Sequence, residues 1–190
     1  KMLGLLNGQG IIFTDDETEA DVILINTCCF IGDAKEESVN TILEMARYKE
    51  EGNLKALLVA GCLAQRYKQE ILDEIPEVDA ILGTTSYEEV AKVLEQVLMG
   101  SSGIHLSCFR DLSELPQVEA RRVVTTGGHY AFLKIAEGCD KRCTYCIIPY
   151  LRGPYRSVPI EQLVAEAGQL AEAGVKELIV QPQSDVEQFR

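Results

Sequence analysis

Tyr130-Ala131-Phe132-Leu133-Lys134-Ile135 runs into Glu137-Gly138-Cys139-Asp140-Lys141-Arg142-Cys143-Thr144-Tyr145-Cys146, followed by Ile147-Ile148-Pro149. The first six residues read as a strand. Three cysteines follow at Cys-x-x-x-Cys-x-x-Cys spacing, so three thiolates can converge on one inorganic centre at a strand end. A helix is predicted from Pro159, since proline in a first helical turn costs no hydrogen bond. Ile160, Leu163, Val164, Ala167, Leu170 and Ala171 form its apolar face, and Gly174 is its expected stop. Glu177-Leu178-Ile179-Val180 is the next strand. This βαβ unit puts the cysteine loop at the carboxyl edge of its sheet, the usual ligand side of parallel α/β folds. One such unit cannot bury both faces of a sheet, so residues 129–190 read as the truncated start of a larger domain.

Upstream, the same alternation appears with different cysteines. Val22-Ile23-Leu24-Ile25 is an unbroken apolar run of the kind found in buried parallel strands, and it ends at Asn26-Thr27-Cys28-Cys29. Ala34 to Glu50 carries Val39, Ile42, Leu43 and Ala46 on one helical face. Ala56-Leu57-Leu58-Val59-Ala60 is the second strand, followed by Gly61-Cys62 and a helix from about Ala64 that Pro76 stops. Ala80-Ile81-Leu82 is a third strand. Ser86-Tyr87-Glu88-Glu89 has the form of a capping box, opening a helix with Val90, Val93, Leu94 and Val97 that Gly100 ends. Residues 1–100 are thus an N-terminal parallel-sheet α/β domain. Residues 101–128 read as a linker, with one short strand expected at Arg122 to Thr125. Lys1 to Leu6 read like the middle of a helix, so a segment is expected to precede them.

The 190 residues suffice for one sizeable core or two small ones, and the hydrophobic fraction of 46% and charged fraction of 25% are those of a globular protein. No apolar run approaches the ~18 residues of a membrane span and no signal peptide is present, so the sequence is read as cytoplasmic. A net charge of −12, from 30 acidic and 18 basic residues, argues against gripping phosphate backbones by counterion release and accommodates a basic partner more easily. Seven cysteines is an odd number, and without a secretion signal they point to metal or redox chemistry rather than disulfides.

Thiolates of this softness and number suit zinc or an iron–sulfur cluster. Three ligands in one loop leave a fourth position open, which in a catalytic centre belongs to something other than protein. For zinc, His129 would have to complete a Cys3His site, but it precedes the strand and is expected roughly 20 Å from the loop at strand rise. Cys108 and His105 have no neighbouring ligands and read as bystanders.

Cys139-x-x-x-Cys143-x-x-Cys146, with Tyr145 before the last cysteine, resembles the radical S-adenosylmethionine enzymes. That resemblance implies that the three cysteines hold a 4Fe-4S cluster whose open iron binds S-adenosylmethionine, that one electron from the cluster cleaves the sulfonium to a 5′-deoxyadenosyl radical, and that Tyr145 lies near the adenine. The flanks narrow it. Asn26-Thr27-Cys28-Cys29-Phe30-Ile31, Ala34-Lys35-Glu36-Glu37-Ser38 and Gly61-Cys62-Leu63-Ala64-Gln65-Arg66-Tyr67 resemble the N-terminal domain of the methylthiotransferases, and Arg152-Gly153-Pro154-Tyr155-Arg156-Ser157 resembles their radical domain, a partial (β/α) barrel.

Membership of that family implies a second 4Fe-4S cluster, with Cys28 and Cys62 matching the second and third of its three cysteines and the first expected upstream of Lys1. Cys29 stands where the family has a small residue and reads as a spectator thiol. No catalytic side chain beyond the cluster ligands is implied. Two branches compete: one adds a thiomethyl group to the β-carbon of an aspartate in a small-subunit ribosomal protein, the other modifies a tRNA adenosine. The motifs stand closer to the first, with an external electron donor as a further partner. A chain of this extent is expected to be inactive alone. The alternative from another class is a non-catalytic iron–sulfur or zinc module.

Overall fold

Six consecutive small and aliphatic residues can be buried on both sides only at the centre of a sheet covered on two faces. The computed structural model of the chain, which describes residues 1–100, 105–115, 122–125 and 127–181, places Ala56 to Gly61 there. Helix α1 (Met2–Asn7) precedes strand β1 (Val22–Thr27), and β2 (Ala56–Gly61), β3 (Ala80–Leu82) and β4 (Leu106–Cys108) complete a parallel sheet of order β1-β2-β3-β4. Between them run α2 (Gly32–Ala46), α3 (Tyr48–Glu51), α4 (Cys62–Tyr67), α5 (Gln69–Glu74) and α6 (Val90–Met99). Successive residues of β2 point to opposite faces. Leu57 and Val59 pack with Ile42 of α2, Leu63 of α4 and Ile71 of α5, whereas Ala56, Leu58 and Ala60 pack with Leu6 of α1 and Val90, Val93 and Leu94 of α6.

Several local expectations are corrected. β1 is an edge strand and is only half-buried, because among the described residues it has a partner on one side alone. The helix expected over Ala34 to Glu50 is interrupted at Arg47 and becomes α2 and α3. The helix expected from Ala64 starts at Cys62 and breaks at Lys68, whose φ of +43° no helix accommodates. The capping box does not form: Ser86 is fully buried and its hydroxyl accepts the Arg110 N–H at 2.9 Å, leaving a single 3-10 turn, Tyr87–Glu89, before α6. The segment read as a linker contributes β4, hydrogen-bonded in register to β3, while Arg122 to Thr125 is irregular chain. The rest of that segment at 101–104, 116–121 and 126, and the polar tail 182–190, lie outside the described residues.

One carboxylate ties the centre of this sheet to α3. Asp79 accepts the Leu57 N–H at 2.7 Å and pairs with Lys49 at 2.6 Å, both partly shielded from water. Asp79→Ala leaves the N–H of Leu57, a fully buried residue, without an acceptor. The expected loss is about 2 kcal/mol, or about 4–8 °C in melting temperature for a chain of this size, with Asp79→Asn losing less because it keeps an acceptor. Paired thermal melts by circular dichroism check it.

The second unit consists of β5 (Tyr130–Lys134), β6 (Ala136–Glu137), α7 (Ile148–Arg152), β7 (Arg156–Ser157), α8 (Ile160–Glu172) and β8 (Glu177–Gln181). β5 pairs parallel with β8 and β6 antiparallel with β7. Gly174 ends α8 with φ +94°, as the sequence predicts. Leu170 is buried against Ala131 and Val175, but Ile160 and Val164 of the expected apolar face stay exposed, because a two-stranded sheet is too narrow to cover the whole helix. The short α7 and the β6–β7 ladder have no periodic signature in the sequence. Among the described residues no helix is long and apolar enough to cross a membrane.

Candidate functional site

Parallel register puts two cysteines side by side. Thr27, the last residue of β1, pairs with Gly61, the last of β2, so Cys28 and Cys62 are the first residues past the same sheet edge on neighbouring strands. Thr27 Oγ1 donates to the Ala60 carbonyl at 2.7 Å and closes that edge. On one side Ser38 of α2 holds the loop: its Oγ accepts the Cys28 N–H at 3.0 Å and lies 2.9 Å from the Cys28 carbonyl. On the other, Cys62 opens α4. Cys28 is exposed and Cys62 buried. Cys29 is also buried and donates its S–H to the Cys62 carbonyl at 3.2 Å; burial pushes its thiol above the ordinary range.

Cys139, Cys143 and Cys146 lie between β6 and α7, in chain that is neither helix nor strand from Gly138 to Ile147. Gly138 has φ +74°, and a Cβ on it would run into the carbonyl oxygens of Pro154 and Gly153, so this position admits glycine alone. The Cys139 N–H donates to the Gly153 carbonyl at 3.1 Å, and the Cys146 N–H to the Cys143 carbonyl at 3.1 Å, which puts the last two cysteines on one turn. Cys139 is buried, Cys143 exposed and Cys146 intermediate. Among the described residues no three Cys, His, Asp or Glu side chains stand together as a metal-holding group, so the sulfurs share a loop without converging. The donor set still fits an iron–sulfur cluster, since all three are thiols. Convergence also breaks no regular secondary structure. Tyr145 is 88% exposed beside Cys146 on an open groove with Arg66, Lys68 and Tyr150, which rules out a core aromatic.

The remaining candidates stand apart. His129 is at the start of β5, where its carbonyl accepts the Lys176 N–H, at the opposite strand end from the cysteine loop. His105 hydrogen-bonds the Val78 carbonyl at 2.8 Å, and Cys108 lies in β4.

The two units meet at α7. α7 packs on α4, Leu151 enters the core beneath the first sheet, and Thr84 Oγ1 donates to the Leu151 carbonyl at 2.7 Å. Arg152, the last residue of α7, donates to Glu137 Oε1 at 3.2 Å. Glu137 also pairs with Lys134, whose ammonium burial pulls below its ordinary range against the attraction of that carboxylate. These groups line a cavity of about 540 Å³ with Gly61, Thr84 and Tyr87. The signal that could have found them is the concentration of charge immediately around the apolar strand end, at Lys134, Glu137 and Arg152.

Tyr87 in that cavity is pushed up to about 12 by burial, then by the negative charges of Glu137 and Glu166. A raised phenol pKa favours the protonated form in the fold. Its contribution to stability is full below pH ~10, the unfolded value, and is lost as pH rises through about 12. Spectrophotometric titration is expected to show a tyrosine component near pH 12 that is absent in Tyr87→Phe.

Residues 133–183 match the family model of the radical SAM superfamily, and residues 1–83 match that of the uncharacterized protein family UPF0004. The ribosomal protein uS12 methylthiotransferase RimO of Lachnoclostridium phytofermentans is 63% identical over 179 residues, 94% of this chain and 40% of that protein. Over nearly its whole length the chain is thus similar to methylthiotransferases, and its second unit matches the radical SAM superfamily. Further relatives of the same name are 51% identical in Acetivibrio thermocellus and 49% identical in Clostridioides difficile, each over 94% of this chain and 40% of the relative. The chain thus spans about 40% of the length of the curated methylthiotransferases it matches. The cysteine loop falls inside the radical SAM match, and Cys28 and Cys62 inside the other.

Proposed function

We propose that the protein containing this chain is a methylthiotransferase that adds a thiomethyl group to the β-carbon of an aspartate in ribosomal protein uS12. The observation that carries the reading is the packing of α7, which directly follows the cysteine loop, on α4, which Cys62 opens. Inserting sulfur into an unactivated carbon needs a hydrogen-abstracting centre and a sulfur-bearing centre within reach of one substrate. The names of the relatives select uS12 as that substrate, and a net charge of −12 suits a basic protein partner.

Cys139, Cys143 and Cys146 would hold the 4Fe-4S cluster to which S-adenosylmethionine binds, and Cys28 and Cys62 would help to hold a second. When bound, these groups supply one-electron cleavage, hydrogen abstraction and a sulfur carrier. The chain's own residues do the placing. Ser38 and the Thr27–Gly61 register fix Cys28 and Cys62. Glycine at 138 lets the loop turn against Pro154, and the exposed ring of Tyr145 offers a stacking face for adenine. Burial of Cys62 and Cys139 keeps water from their sulfurs. In this reading residues 1–100 with β4 form the sulfur-bearing unit, residues 129–190 begin the radical unit, electrons come from an external donor, and the protein works in the cytoplasm.

The test is anaerobic reaction of the full gene product, reconstituted with iron and sulfide, with S-adenosylmethionine and the small ribosomal subunit, followed by mass spectrometry of uS12 and of tRNA. A thiomethyl gain on the uS12 aspartate is expected. Gain on tRNA alone would assign the chain to the tRNA-modifying branch, and a single tightly held zinc with no cluster absorption would make it a structural metal module.

A further inference from the structure

The cavity between the two units is walled by residues next to the cysteines. Asn26 and Gly61 on its wall stand one or two positions before Cys28 and Cys62, and Glu137 stands two before Cys139. Its volume of about 540 Å³ is that of a small-ligand pocket. The wall is unevenly charged. Glu137, 9% exposed at its side chain, accepts from Arg152 on Oε1 at 3.2 Å and pairs with Lys134 through Oε2, so two cations share one carboxylate. Elsewhere on the wall Glu166 is shared in the same way, by Lys1 at 3.0 Å and Arg122 at 3.5 Å. Among the described residues these are all the charged groups of the wall, and positive charge is in excess. A cation drawn part-way out of water without a full counter-charge is costly, and an anion entering the cavity relieves that cost. Tyr87 on the same wall is held in its protonated, hydrogen-donating form.

We infer that Lys134 and Arg152, aimed by Glu137, bind the side-chain carboxylate of the substrate aspartate and so set its β-carbon between the two cysteine stations. The inference rests on the assignment of uS12 as substrate. The β-carbon is bonded directly to the carboxylate carbon, so holding one places the other. An ammonium and a guanidinium sharing Glu137 also select for charge, since an asparagine side chain has nearly the shape of aspartate and none of its charge. S-adenosylmethionine matches this wall poorly, because its sulfonium and ammonium outnumber its one carboxylate and leave it net positive.

The full gene product, reconstituted anaerobically with iron and sulfide, is titrated by calorimetry with uS12 carrying either the target aspartate or asparagine in its place. General attraction between an acidic enzyme and a basic protein is common to both forms, so the ratio of their affinities isolates the one side chain. The parent is expected to bind the aspartate form about tenfold tighter, the lower end for a hydrogen bond to a charged group. In Lys134→Gln and in Arg152→Gln that ratio is expected to fall to about twofold or less, with iron content equal to the parent, whereas Lys134→Arg keeps most of it. Should one glutamine variant not fold, the other removes a cation from the same carboxylate and reads the same ratio. A ratio unchanged in the glutamine variants, or near unity in the parent, would overturn the inference, while thiomethyl transfer to uS12 by the parent would leave the substrate assignment standing. Lys134→Arg losing the ratio as fully as Lys134→Gln would show packing rather than charge and would also overturn it. Thiomethyl transfer to tRNA alone would remove both.

Discussion

Replacing Cys139, Cys143 or Cys146 by alanine, one at a time in the full gene product, is expected to abolish S-adenosylmethionine cleavage, a loss of more than about 100-fold. The magnitude follows from comparison with weaker lesions: removing a group that merely orients a metal ligand costs about 10–100-fold, and here a ligand itself goes. Each variant is also expected to hold about four fewer iron atoms per chain, one 4Fe-4S cluster, with a matching loss of broad visible absorption. Stability should change little, because the loop from Gly138 to Ile147 contributes no helix or strand and Cys143 is exposed. Cys139→Ala is the exception: its thiol is buried, so a small drop in melting temperature accompanies the loss of iron. Cys29→Ser is the control. Cys29 is a buried thiol whose bond goes to a backbone carbonyl, and serine can make the same bond, so iron should stay near the parent value. Iron analysis with anaerobic cleavage assays decides it. A Cys143→Ala protein that keeps its iron and its cleavage rate would remove the cysteine loop from the chemistry.

What could be read from the sequence was whatever has a local signature. Three thiols in eight positions, a strand before them and a helix after Pro159 are all short-range features, and each is found in the fold. Cys28 and Cys62 were legible as strand-end residues, but their adjacency was not. It depends on the pairing of Thr27 with Gly61, and parallel register is set by packing across the sheet rather than by a turn. β4 escaped because three residues in a polar stretch have no period to detect, and it forms only because β3 offers an open edge. Ser86 shows tertiary contacts overriding a local rule: burial beside Arg110 gave its hydroxyl a different donor from the one the capping pattern implies. Arg152 could be named from its motif but not given its partner Glu137, since the two meet only once β6 and α7 are folded together. Tyr145 was legible as a residue beside a ligand and is found exposed at the groove.

Gly61→Ala is expected to cost about 3 kcal/mol and to disable the sulfur-bearing station while sparing S-adenosylmethionine cleavage. Gly61 has φ +100°, a conformation that costs a residue with a Cβ roughly 1–3 kcal/mol. The added carbon would also sit 2.6 Å from the Thr27 carbonyl oxygen and 3.0 Å from Asn26 Oδ1. Both are at the end of β1; the Asn26 side chain can swing aside, but the Thr27 carbonyl is backbone and cannot. Relief requires β1 and β2 to part where Thr27 faces Gly61, a displacement of the kind that overpacking makes costly by another ~1–3 kcal/mol. The two residues that follow that edge are Cys28 and Cys62, so the strain is released into the spacing of the two sulfurs. The cysteine loop of the second unit has its own glycine and its own ladder, β6 with β7, and does not share this edge. Melting temperature should fall by about 6–12 °C, iron should drop by the amount of one cluster, and cleavage of S-adenosylmethionine should persist while thiomethyl transfer is lost. Gly168→Ala offers the contrast: its Cβ would meet nothing within 4 Å in the middle of α8, and alanine there is expected to stabilise by about 0.5–1 kcal/mol. If Gly61→Ala melts with the parent and keeps thiomethyl transfer, the sheet edge does not set the positions of Cys28 and Cys62.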